Sequence, residues 1–150
     1  MALDDIYKEV ILDHYKSPRN KRDLPGAELS CTRNNPLCGD EITVYVRLEG
    51  DRIADISFQG SGCAISQASA SLMTVNLKGK TIAEAEAIAG GVHKLIISGD
   101  VKDDEFSDLS ALAGVHQFPA RIKCATLSWH AAINAVKGDE TPVTTEKTSD

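Results

Sequence analysis

The sequence predicts an α+β domain in which a small antiparallel sheet is covered by helices. Three observations carry this. A stretch of helical period opens the chain, two alternating runs meet at a tight turn near residue 50, and from Cys63 onward the period is helical. With 150 residues, the chain has the length of one ordinary domain. A domain of this size buries roughly 68–70% of its unfolded surface and needs no covalent staple.

Leu3, Ile6, Tyr7, Val10 and Ile11 recur at helical spacing, so a helix is expected over 3–16, ended by Ser17-Pro18. Ser17–Pro25 is a basic, turn-rich loop, and residues 28–33 form a first strand. Between 41 and 49, Ile42, Val44, Val46 and Leu48 alternate with Thr43, Tyr45, Arg47 and Glu49. After the Gly50-Asp51 turn, Ala54, Ile56 and Phe58 mark the return strand of an antiparallel hairpin with one buried side. Ile65, Ala68, Leu72 and Val75 then define a helix closed by Gly79, rich in Ala and Ser and therefore able to lie close to the sheet. Thr81-Ile82-Ala83-Glu84 has the capping-box form, so another helix starts at 82 and ends near Gly90-Gly91. Residues 92–98 form a further short helix, and GDVKDDEFSD an acidic connector. Leu109–Ala113 is about one helical turn. Pro119 opens the last helix, striped by Ile122, Ala125, Trp129, Ile133 and Val136. The domain is thus expected over 1–137, with 138–150 a disordered polar tail.

Sixteen Lys and Arg against 22 Asp and Glu give a net charge of −6. That argues against a nucleic-acid binder, whose affinity comes from cations displacing counterions around phosphates. No apolar run approaches the length of a membrane span. MALDDIYKEV has no apolar core of a secretory signal, so a cytoplasmic chain is expected. Four cysteines, Cys31, Cys38, Cys63 and Cys124, then need a reason other than disulfides. Metal binding or thiol chemistry stands level with ordinary buried thiols.

Cys38-Gly39-Asp40 lies directly before a strand, Cys63 follows Gly60-Ser61-Gly62 at the start of a helix, and Cys124 sits inside the last helix. The hairpin carries the chain out and back, so Cys38 and Cys63 fall at one end of the sheet. A thiol at a helix N-terminus is biased toward thiolate, and the flanking glycines allow close backbone approach. If Cys124 reaches the same corner, three sulfurs and Asp40 suit tetrahedral Zn²⁺, while an iron–sulfur cluster stays open. Gly60-Ser61-Gly62 lacks the further residues of a nucleotide loop.

The segments IYKEVILDHYKSPRNK, NNPLCGDEITV, FQGSGCAISQASASLM and FPARIKCATLSW make the chain recognisable. It resembles the SufU branch of the IscU/NifU N-terminal family of iron–sulfur cluster assembly proteins. The resemblance implies a three-stranded sheet and a metal or cluster site at Cys38, Asp40, Cys63 and Cys124. It further implies receipt of sulfane sulfur from a cysteine desulfurase, and, in the scaffold branch, assembly of a [2Fe–2S] cluster. Where the scaffold branch has a histidine before its third cysteine, this chain has Lys123. The chaperone-recognition segment is replaced by Phe118-Pro119-Ala120-Arg121, and the stretch from Cys63 to Cys124 is long, as in the zinc-binding branch. The resemblance therefore implies one Zn²⁺ per chain and a sulfur carrier working with a SufS-type desulfurase and downstream cluster-assembly machinery. Its chemistry is sulfurtransferase-type at most, not that of a free-standing small-molecule enzyme; a [2Fe–2S] scaffold is the alternative.

Within that frame Cys38, on a loop that can move, is the expected sulfur acceptor, whereas Cys63 and Cys124 are held by helices. Arg121, about one turn before Cys124, is a candidate to steady a thiolate, a persulfide or Asp40. Lys123 reads equally as a solvated charge. Cys31 is expected as a buried thiol, His14 as a packed, hydrogen-bonded histidine and Trp129 as core. His93, His116 and His130 have no partner at ligand spacing.

Overall fold

The long hairpin organises the molecule. In the computed structural model, which describes residues 3–36, 39–99, 108–138 and 143–144, β2 (Asp40–Glu49) and β3 (Arg52–Ser61) pair antiparallel with Val44 opposite Phe58. The alternation read from the sequence holds at Ile42, Val44 and Val46 and at Ile56 and Phe58, all sealed inside. Near the turn, where the register shifts between Arg47 and Leu48, Ile53 is sealed instead of Ala54, and Leu48 and Ala54 are half-buried. Each sealed side chain contributes about 1.5–3 kcal/mol relative to exposure. β1 (Leu29–Asn35) lies antiparallel on the other side of β2, with Cys31 opposite Val44 and Asn35 opposite Asp40. These are the three antiparallel strands expected. A two-residue β4 (Val143–Thr144) adds a parallel edge on β1, giving the order β3-β2-β1-β4. The rest of the tail beyond Gly138 lies outside the described residues, as does most of the acidic connector.

The free edge of β3 is strapped by the basic loop. Phe58 N–H donates to the Asn20 carbonyl and Arg22 N–H to the Phe58 carbonyl, both at 3.0 Å. Arg22 also reaches Asp55 at 2.9 Å. These bonds cover the Phe58 stretch of an edge that would otherwise offer a template for another chain.

Two helices, α2 (Ala64–Leu77) and α4 (Pro119–Val136), form the layer against the sheet. Both are rich in small buried residues: Ala68, Ser69 and Ala70 on one, Ala125, Ala131, Ala132 and Ala135 on the other. Trp129 Nε1 donates to Ser69 Oγ at 3.0 Å and Ser69 Oγ donates to the Ala125 carbonyl at 2.6 Å, which satisfies the buried indole and joins the helices. α1 (Leu3–Lys16) packs on α2. Its His14 is buried and bonded to Ser71 Oγ at 2.7 Å, as a packed histidine should be. Cys31 is a buried thiol, also as expected.

Two expectations are corrected. The helix starting at Ile82 does not break at Gly90-Gly91: α3 runs unbroken through Ile82–Ser98. Ala85, Ala89, Val92 and Ile96 form one buried stripe across the glycines, and that burial outweighs about 1 kcal/mol of helix propensity lost at each. The capping box at Thr81 is present, and the helix ends at Gly99, whose φ of 73° few other residues adopt. A 3₁₀ segment, Asp108–Gln117, replaces the single turn expected at Leu109–Ala113. Among the described residues, no helix is long and apolar enough to cross a membrane.

Candidate metal centre

The site forms where the open end of the hairpin meets the start of α2 and the body of α4. Asp40 is the first residue of β2 and only 1% exposed. A buried carboxylate needs donors, and its Oδ1 accepts the N–H of Cys63 at 2.7 Å. Cys63 is the N-cap of α2, and its sulfur lies 3.8 Å from Asp40 Oδ2. The glycines beside it have a definite task. A Cβ on Gly62 would overlap Asp40 Oδ1, and one on Gly60, where φ is 133°, would overlap the Glu41 carbonyl. They let the chain pass close to Asp40 and the start of β2.

Cys124 reaches this corner from α4 and is fully buried. One ligand atom from each of Asp40, Cys63 and Cys124 falls within 4.8 Å of the others. The Cys63 thiol is pulled from an ordinary 9.0 to about 6, chiefly by a hydrogen bond from Cys124. Backbone N–H groups of Ser66 and Ile65 add to this, while burial and the Asp40 charge oppose it. The helix N-terminus acts as anticipated, but the neighbouring sulfur has the larger effect.

This donor set fits a tetrahedral zinc ion. Two sulfurs each about 2.3 Å from one ion stand roughly 3.8 Å apart, so donors already inside 4.8 Å need only a small closure. Soft sulfur disfavours Mg²⁺ and Ca²⁺. Asp40, Cys63 and Cys124 are the residues that would hold the metal. Cys38 lies outside the described residues, in the connection between Asn35 and Asp40. Arg121 is exposed in the first turn of α4, its backbone N–H donating to the Phe118 carbonyl at 2.7 Å. Lys123 is half-buried.

Two arrangements escape sequence reasoning. Asn35, the last residue of β1, directs Nδ2 to Cys124 Sγ at 3.5 Å. Its signal was the NNPLCGD segment itself, once β1 is known to extend to its second asparagine. His93 and His130, on different helices, meet edge to face with ring centroids 5.6 Å apart. They line a cleft of about 450 Å³ between α3 and α4 with Glu86 and Asn134. A second, mostly apolar groove of about 310 Å³ runs past Ile11, Ile65, Val115 and Phe118. Asp40, Cys63 and Cys124 line neither.

With this geometry in hand, the family can be stated: residues 6–138 match the NifU-like N terminal domain, and the chain belongs to that family. It is 46% identical over 140 residues to the zinc-dependent sulfurtransferase SufU of Bacillus subtilis, covering 92% of this chain and 94% of that one. It is 42% identical over 137 residues to the iron–sulfur cluster assembly scaffold protein IscU of Streptococcus pyogenes, covering 90% and 85% respectively. The crystal structure of the SUF-system protein FiSufU of Fervidobacterium islandicum AW-1 superposes with a TM-score of 0.80 at 31% identity, over 90% of this chain and 99% of that one.

Proposed function

We propose that this chain is a zinc-dependent sulfur acceptor and carrier that takes persulfide sulfur from a SufS-type cysteine desulfurase in the cytoplasm and passes it to the cluster-assembly machinery. The observation that carries the proposal is the convergence of the buried Asp40 and Cys124 with the partly buried Cys63. The likeness to a zinc-dependent sulfurtransferase supports the choice of metal.

Three donors leave one tetrahedral position, and Cys38 is the residue proposed for it. Two Cα steps separate Cys38 from Asp40, so covalent geometry alone keeps its Cα within about 7.6 Å of Asp40's. Zinc, when bound, keeps coordinated sulfur deprotonated at neutral pH. Asp40 orients the start of α2 through the Cys63 N–H, and Cys63 and Cys124 stay anchored by their helices. Cys38, on the connection, is the sulfur acceptor. Its thiolate attacks the outer sulfur of the desulfurase persulfide. One S–S bond forms at Cys38 as the S–S bond within the desulfurase persulfide breaks, the desulfurase cysteine leaves as thiolate, and no net oxidation occurs. Arg121 supplies positive charge toward the arriving persulfide.

A second reading, a scaffold for a [2Fe–2S] cluster, is favoured by the same sulfur-rich donor set and by the IscU likeness. One experiment separates the two. Under the carrier reading the purified protein is colourless, holds one zinc per chain and accelerates a desulfurase. Cys38→Ser should stay folded but neither accelerate it nor carry persulfide by mass spectrometry. A brown protein that transfers a cluster, or full acceleration by Cys38→Ser, overturns the carrier reading.

A further inference from the structure

We propose that Asn35 is a positioning residue that fixes Cys124 as the permanent, unreactive sulfur of the centre, so that sulfur exchange is confined to the other thiols. The inference rests on the metal-centre reading above but concerns a residue outside the ligand set.

Asn35 closes β1 and is only 1% exposed. Asparagine is disfavoured in strands, and burying its amide costs free energy unless it is hydrogen-bonded. A partner at 3.5 Å is Cys124 Sγ, 89 residues away in sequence and itself buried. Asn35 is also the register partner of Asp40, so the strand pairing that sets the carboxylate sets the amide.

The contact distinguishes the two described sulfurs of the site. Cys63 is only partly buried, with its sulfur 3.8 Å from Asp40 Oδ2, and is therefore reachable from solvent. Cys124 is sealed from solvent and receives an amide N–H from the strand side, so its sulfur is both out of reach of an attacking group and fixed in direction. Donors of this outer kind orient a metal ligand and typically account for about 10–100-fold in metal affinity. Asn35 therefore holds one ligand fast, from the strand side, while α4 holds it from the helix side.

The test uses the zinc-loaded full chain with Asn35→Leu, which keeps the volume and removes the donor. Zinc affinity is measured by chelator competition, and the thiolate-to-metal charge-transfer band is recorded after Co²⁺ substitution. Alkylation by iodoacetamide is mapped by mass spectrometry. Asn35→Leu should bind zinc about 10–100-fold more weakly, shift the charge-transfer band and expose Cys124 to alkylation, while Cys124 of the unsubstituted chain stays unmodified. If Asn35→Leu does not fold, Asn35→Ser, whose hydroxyl stops short of the sulfur, gives the same readouts. Unchanged affinity, spectrum and Cys124 protection in the variant overturn the role of Asn35 while leaving the zinc centre intact. A parent protein that binds neither zinc nor cobalt overturns the centre itself, and with it this role.

Discussion

At the scale of single residues, burial decides which polar groups carry meaning. His14 shows this outside the metal centre. It is 4% exposed, with Ser71 Oγ at 2.7 Å from Nδ1, and the same hydroxyl accepts the Arg19 N–H at 2.8 Å. Burial, and after it the Arg19 charge, hold the imidazole below its ordinary 6.5, against weaker opposition from Asp13 and Asp108. The sign follows from proton counting. Below 6.5 the unfolded chain takes up a proton that the folded chain refuses, so stability falls as pH drops from 6.5 toward the depressed folded value. Above 6.5 the full contribution is present. Denaturant titrations at pH 7.5 and pH 5 should show a loss on acidification that is smaller in His14→Gln. An equal loss in both proteins would mean that carboxylates elsewhere set the acid sensitivity.

At the scale of elements, the legible parts were those whose residues repeat with one period. α1 and the hairpin follow from apolar spacing, and so do the start of α2 at Cys63 and the course of α4 through Cys124. The meeting of Asp40 with Cys63 follows from the hairpin, because the residues before its first strand and after its second share one end. What stayed hidden depends on relations between elements. Asn35 was missed because the first strand was drawn only to residue 33, short of its register partner Asp40. His93 and His130 meet only once α3 packs on α4. The continuity of α3 was hidden because glycine was weighed as a breaker without the buried stripe that spans it. That correction has a consequence. A Cβ at Gly90 or Gly91 would meet nothing within 4 Å, and neither residue has a positive φ. Gly90→Ala and Gly91→Ala should each stabilise the protein by about 0.4–1 kcal/mol, read as a rise in denaturation midpoint at constant slope. A loss of stability in both would mean that α3 needs those positions open.

At the scale of the whole molecule, the metal centre works as a clasp. Asp40 belongs to the sheet, Cys63 to the start of α2 and Cys124 to the interior of α4, so one ion would join three elements that packing and a few hydrogen bonds already hold together. The unfolded chain cannot present these donors together, and zinc therefore binds the folded state preferentially. Ligand linkage then stabilises the fold by about 4 kcal/mol when free metal exceeds its dissociation constant 1,000-fold. For a domain of this length each 1 kcal/mol moves the melting temperature by roughly 2–4 °C, so chelation should lower it by about 8–16 °C and added zinc should restore it. The apolar core of Ile42, Val44, Phe58, Leu72 and Leu127 is built from side chains that are not ligands, and the stripped protein should keep its helical circular dichroism at 25 °C. Cys124→Ser, which removes the innermost sulfur, should melt at nearly one temperature with or without chelator. Were the parent chain equally indifferent to chelation, the three elements would be held by packing and hydrogen bonds without an ion, and the convergence of Asp40, Cys63 and Cys124 would need another cause.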